Sequence, residues 1–255
     1  MNLPFLYLMN LVMLVRLPAS FSENAIRGRA AGVAVVICLV GLLVLEPTPA
    51  VGAAAAVLIA LGFAKWWLEG RTKGKPSPRL RFTLLLSHFI AMTWLCSPAY
   101  GLEFRLGMTG WCEWAGQYFT PIGGLSTLSW YEVQLWLFGA LLASGEANLL
   151  VRLLLDRADV GVGVGSEGSQ PPVGKSPTQI EYAHGRVIGF LERLIVYTLV
   201  VAGEYGAMGW VIAAKGLARF KNLEDRTFAE YFLIGTMLSL VLAGGTALLV
   251  RAAMP

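Results

Sequence analysis

The strongest constraint on this chain is a repeated one: apolar runs approaching bilayer length recur from end to end, separated by short stretches rich in Pro, Gly or basic residues. A hydrocarbon core about 30 Å thick needs roughly 17–25 helical residues rising about 1.5 Å each. The runs fall at residues 3–17, 31–46, 51–68, 82–100, 130–153, 187–202, 207–220 and 230–251. Composition argues against a soluble alternative. Of 255 residues, 56% are hydrophobic and only 14% charged, against about 25% charged in soluble domains. A chain this short has too little interior to hide so much apolar surface from water. The expectation is an all-α, polytopic transmembrane helical bundle of seven or eight membrane segments, with the lipid bilayer as its solvent.

The breaks between runs have local causes. Glu46-Pro47-Thr48-Pro49 removes two backbone donors and predicts a tight hairpin. The stretch 187–220 is too long for one ordinary span, and Gly203-Glu204-Tyr205-Gly206 supplies a turn that divides it. Residues 3–17 are short and read as a tilted or partly interfacial first helix. Residues 101–129 mix Trp111, Trp114, Tyr118 and Phe119 with Gly107, Gly110, Gly116, Gly123 and Gly124, which predicts an interfacial segment at headgroup level. Residues 157–185 are rich in Gly, Ser and Pro and predict a flexible cytoplasmic linker. It separates an N-terminal helical part, 1–156, from a C-terminal helical block, 186–255. Residues 1–15 carry no basic residue, so a cleaved leader is not expected.

Charge sets an orientation. If every run crosses and the N-terminus lies outside, all of the 20 basic residues except Arg105, Arg193 and Arg251 gather on the cytoplasmic side. The net charge of +4 is therefore read as membrane topology, with no nucleic-acid partner implied. Arg71, Lys73, Lys75, Arg79 and Arg81 are expected to touch anionic lipid headgroups.

An ionisable group in lipid costs about 2.5–3.5 kcal/mol on insertion scales, so it normally faces protein or water. The second half of the chain concentrates such groups: Glu146, Arg152, Glu192, Arg193, Glu204, Lys215, Arg219 and Glu230. They predict an intramembrane charged cluster, serving either as a polar path or as glue between helices. Glu192 and Arg193 are adjacent, hence about 100° apart on a helix, and are expected to bond to different neighbours. Gly203, Gly206, Gly209 and Gly216, with Gly235 on the last helix, form small-residue stripes expected to permit close helix packing.

Signatures of catalysis are missing. Gly174-Lys175-Ser176 matches the end of a phosphate loop, but Ser169 occupies the position that requires glycine. His88 and His184 are far apart and form no metal motif, and His88 reads as a hydrogen-bonded packing residue. Cys38, Cys96 and Cys112 show no metal-ligand spacing. Cys38 reads as a small buried hydrophobe, while Cys96 and Cys112 flank one extracytoplasmic segment and leave a disulfide open. No catalytic residue, cofactor or metal is predicted.

The C-terminal block carries a resemblance. Gly185-Arg-Val-Ile-Gly-Phe-Leu-Glu-Arg193, Glu204-Tyr-Gly-Ala-Met-Gly-Trp-Val-Ile-Ala-Ala-Lys215 through Arg219-Phe220, and Ala229-Glu-Tyr-Phe-Leu-Ile-Gly-Thr236 resemble the C-terminal region of a bacterial integral membrane protein family known only as a domain of unknown function. The likeness covers about residues 185–250. It implies a multi-pass protein of the bacterial inner membrane and supplies no activity. Three functional expectations stand beside it. The first is a non-enzymatic small ion or solute transport or channel-like component using the charged cluster. The second is an accessory subunit, joined to a membrane-protein partner or to further copies of itself. The third is a lipid-modifying membrane enzyme.

Overall fold

The computed structural model describes residues 3–21, 28–71, 78–97, 102–104, 129–157, 179–218, 220, 224 and 226–254. Among them every extended regular element is helical. The helices are α1 (Leu3–Phe21), α2 (Gly28–Leu42), α3 (Pro49–Arg71), α4 (Pro78–Leu95) and α5 (Trp130–Leu141), then a π-helical turn over Leu142–Glu146. There follow α6 (Ala147–Arg157), α7 (Gln179–Ala202), α8 (Tyr205–Ala218) and α9 (Arg226–Ala253). The chain divides into two compact units, Met1–Leu141 and Leu142–Ala253. Most of the expected interfacial segment 101–129 and linker 157–185 lies outside the described residues. So do Lys73, Lys75, Cys112 and Arg219, and the side chains of Arg71, Arg152 and His184.

In the first unit α1 is the central helix, packed against α2, α4 and α5, with α3 alongside α2 and α4. Its inward face carries Phe5, Leu6, Met9, Val12 and Met13, a helical spacing that fills the core. Phe5 meets Phe89 of α4 edge-on at 5.5 Å. The α2–α3 connection is the expected hairpin. Pro49 opens α3, where its missing N–H costs nothing, and Thr48 contributes its carbonyl to Val51 and Gly52 at 3.0 and 3.3 Å. An isolated bridge joins Leu45 to Phe104, with Glu46 N donating to Glu103 O at 2.9 Å. Two glycines leave room for a side chain of a neighbouring helix: a Cβ on Gly41 would run into the end of Leu11, and one on Gly62 would lie 2.5 Å from Val35 Cγ2. Helix α5 starts in a reciprocal capping box, Ser129 N to Glu132 and Glu132 N to Ser129 Oγ, as the pattern Ser-x-x-Glu dictates.

In the second unit α9 packs along α7 and also meets α6 and the π turn, while α8 folds back on α7. The break at Gly203 has a complete physical cause. Gly203 takes φ +83°, a left-handed conformation costly for residues with a Cβ. Gly203 N donates to Val200 O at 3.1 Å and Glu204 N to Leu199 O at 2.8 Å, the paired bonds of a Schellman cap.

One helical stretch, Phe232–Ala253, is long and apolar enough to cross a membrane, at 22 residues. Leu3–Leu17, Gly32–Leu42 and Pro49–Ala64 are apolar but shorter. The expectation of a helical fold therefore holds, and length together with apolarity sufficient for a span is met at one helix among the described residues. Helices α2 and α8, with 15 and 14 residues, are also short for a core of about 30 Å at about 1.5 Å per residue.

Apolar side chains fill the interior and large ones also face outward. Trp210, Leu249 and Val241 are 81%, 74% and 70% exposed, and α2, α3 and α4 each present large apolar side chains outward, Val40, Phe63 and Trp94 among them. Asn10, His88, Gln134, Ser144, Glu146, Arg193 and Thr236 are buried. Interior polar groups need partners, because an unsatisfied one costs about 1–3 kcal/mol. Asn10 Nδ2 supplies one such bond, donating to Gln134 Oε1 at 2.7 Å and to the Gln134 carbonyl at 2.9 Å.

Candidate functional site

The charged residues of the second unit separate into an inner pair of features and an outer remainder. On α7, Arg193, Val196, Tyr197 and Val200 are buried at positions spaced three and four apart, so they form its inward face. Arg193 therefore points into the unit. Its Nε and Nη2 both donate to the carbonyl of Ser144, at 3.3 and 3.0 Å. Ser144 lies in the π turn, where i→i+5 spacing disturbs the regular ladder and reorients carbonyls. Ala143, Ser144 and Gly145 are small enough for α7 to approach there. Glu146, also buried, ends the same turn.

Glu192 is one residue earlier and turned toward α8. Lys215 Nζ donates to Glu192 Oε2 at 2.6 Å, with both side chains about three-quarters buried or more. The ammonium also lies 5.7 Å from the centre of the Phe232 ring on α9, a favourable cation–π distance. The expectation that Glu192 and Arg193 bond to different elements is met: one to α8, the other to the π turn.

Both features border one pocket of ≈ 20 Å³, with room for about one water. Glu192, Arg193 and Lys215 face it from α7 and α8, and Thr236 and Ser239 face it from α9. The remainder of the wall is apolar, from Val196, Val211, Ile212 and Leu240. The hydroxyl of Thr236 is buried and has no hydrogen-bond partner among the described residues.

Other expected members of the cluster lie elsewhere. Glu204 is exposed at the α7–α8 turn, and its contribution there is the backbone cap. Glu230 pairs with Arg226 at 2.9 Å on the outside of α9, both side chains largely exposed. Such an i,i+4 pair stabilises a helix by only about 0.3–0.5 kcal/mol in water. Arg152 and Arg219 fall among the side chains not described.

The small-residue stripe also needs correction. Nothing lies within 4 Å of a Cβ built on Gly206, Gly209, Gly216 or Gly235, and α8 has no buried residue among those described. Among the described residues these glycines meet no neighbouring helix. Gly203 is the exception, for a different reason: a Cβ there would lie 3.0 Å from Arg251 Nη1, whose guanidinium also donates to the Tyr205 hydroxyl at 3.1 Å. Side chains of neighbouring helices are instead admitted at Gly41 and Gly62 in the first unit.

Of the expected headgroup-facing residues, Arg79 is exposed at the start of α4, and the Arg81 carbonyl accepts from Arg16 Nη2 at 3.2 Å. The end of α1 and the start of α4 thus meet. His88 is a packing residue, its Nδ1 2.6 Å from the Leu84 carbonyl. Cys38 is a buried free thiol, and Cys96 is buried while its suggested partner Cys112 lies outside the described residues. Among the described residues no three His, Cys, Asp or Glu side chains are grouped to hold a metal.

Two participants escaped the sequence reading. The Ser144 carbonyl is a backbone atom on a π turn, which no residue pattern announces. Thr236 had a signal: it heads the buried stripe Thr236, Ala243, Ala247, Val250 of α9, where a hydroxyl is out of place. No protein-family model, curated protein or solved structure matches the chain.

Proposed function

We propose that the chain is a multi-pass protein of the bacterial inner membrane and that its C-terminal unit holds the ion site of a small transport or channel-like component. The membrane setting is supported by apolar outward faces on helix after helix and by one helix among the described residues that is long and apolar enough to cross. Helices shorter than a span would reach across by locally thinning the bilayer or by continuing beyond their regular turns. The observation that carries the functional reading is the Glu192–Lys215 pair opening onto a pocket with an unpartnered hydroxyl. Ionised side chains amid apolar helices are expensive, and a pocket beside them is where a moving ion exchanges partners.

The test is flux in vesicles reconstituted with the purified chain. The parent is expected to conduct, and Glu192→Gln to lower the rate at least about tenfold, the effect of losing one charge-assisted hydrogen bond. No flux in the parent, or equal flux in the variant, refutes the reading.

A second reading, an accessory subunit, has its own support. Helix α8 exposes Trp210 and leaves Gly206, Gly209 and Gly216 open, a surface that a partner helix would cover. It predicts that the chain co-purifies with a membrane protein crosslinked through α8. Recovery of the chain alone under mild detergent counts against it.

A further inference from the structure

We propose that the pocket between α7, α8 and α9 is an anion site of halide size, in which Lys215 and the Thr236 hydroxyl hold the ion and Glu192 competes for Lys215. The inference rests on the transport reading for its purpose, but its evidence is the chemistry of the walls. Thr93, Thr198 and Thr246, also helical, each return their hydroxyl to the carbonyl four residues earlier, at 2.7–2.9 Å. Thr236 does not, though its residue is 6% exposed and faces the pocket. A buried hydroxyl left open in this way costs about 1–3 kcal/mol until something in the pocket takes its proton.

Lys215 has donors to spare. An ammonium carries three N–H groups, and Glu192 takes one of them. The charges facing Glu192 are Arg193 on its own helix and Lys215 on α8, while α9 offers the neutral Thr236 and Ser239. Glu146 is buried in the adjoining π turn and is not part of the pocket wall. An ammonium with N–H donors beyond the one that Glu192 takes repels a metal cation and favours an anion. Size narrows the class further, because ≈ 20 Å³ has room for about one water-sized particle, which suits a single small ion better than a phosphate. Val196, Val211, Ile212 and Leu240 hydrate nothing, so a weakly hydrated halide is preferred over a strongly hydrated one.

Glu192 has a definite place in this scheme. It is the resident anion, holding Lys215 while the pocket is empty and giving way in part when a halide enters. An ion that binds must also leave, and an internal competitor keeps binding weak enough for release.

The experiment is calorimetric titration of sodium bromide into the purified full chain in detergent, with sodium gluconate as the control for the cation. The parent is expected to bind bromide saturably at one site. Lys215→Met should weaken binding at least about tenfold, and Thr236→Val roughly three- to tenfold, the range of one lost hydrogen bond. Glu192→Gln should tighten binding about tenfold while slowing flux, a direction that mere loss of a structural ion pair would not produce. Absence of saturable bromide binding by the parent overturns the proposal, and so does parent affinity in Thr236→Val. Melting curves accompany each variant, so weak binding by an unfolded Lys215→Met leaves Thr236→Val decisive. Bromide binding without flux of any ion would sink the transport reading and spare the site. Flux of protons or sodium that bromide neither carries nor alters, with no bromide binding, would do the reverse.

Discussion

The two units solve the same problem, polar groups among apolar helices, by different means. In the first unit the interior polarity is neutral: Asn10 and Gln134 bond each other across α1 and α5, and glycines at 41 and 62 admit side chains of neighbouring helices. In the second unit it is ionised: Arg193 grips a backbone carbonyl, Glu192 grips Lys215, and the glycines of α8 face open space. A neutral amide pair can be built into a core at little electrostatic cost. A charge is tolerated only with a partner in place, and replacing it with apolar groups is often no loss to stability. Charges retained where they are not needed for packing point to use, which is why the second unit and not the first carries the candidate site.

The sharpest way to break this comparison is Arg193→Met. The Ser144 carbonyl would lose both bonds from the guanidinium, and the second unit should lose about 3–5 kcal/mol, at about 1.5–3 kcal/mol for each charge-assisted bond. A thermal melt in detergent reads the change, and a shift no larger than that of a surface substitution would show that the arginine is not integral to the unit.

An intermediate effect is expected in the first unit. Asn10→Leu strands Gln134 and should cost about 1–3 kcal/mol, while Asn10→Leu with Gln134→Leu together should recover most of the loss. Double-mutant melting tests this; equal losses in single and double variants would mean that the amides do not act as a pair.

The smallest contrast sets one glycine against another. Gly41→Ala places a methyl group against Leu11 and should destabilise by about 1–3 kcal/mol. Gly209→Ala meets nothing and should stabilise the isolated chain by up to about 1 kcal/mol through helix propensity. If Gly209→Ala also disrupts recovery of a co-purifying protein, α8 is a contact surface and the accessory reading gains.

Much of the architecture was legible in residue order. The helix break at prolines 47 and 49 and the one at Gly203 are matters of local backbone: Pro49 lacks a donor, and Gly203 accepts φ +83°. The divergence of Glu192 and Arg193 followed from helical phase alone. The membership of the cluster was not legible. Glu204 and Glu230 carry the same charge as Glu192, yet they end at a cap and on an outer face. Similarly, Gly206 and Gly209 repeat at the spacing of a packing stripe, but that spacing says nothing about whether a helix lies opposite.

Residue order by itself determined that the chain is helical, where its runs stop, and that its apolar side chains outnumber what a small interior can cover. These depend on interactions within a few residues and on composition. Tertiary structure alone decided that Ser144 offers its carbonyl to Arg193, that Lys215 reaches Glu192, and that Thr236 keeps an unpaired hydroxyl beside them. The reason is geometric: a side chain's partner depends on the rotation and approach of a second helix, which no short stretch of sequence encodes.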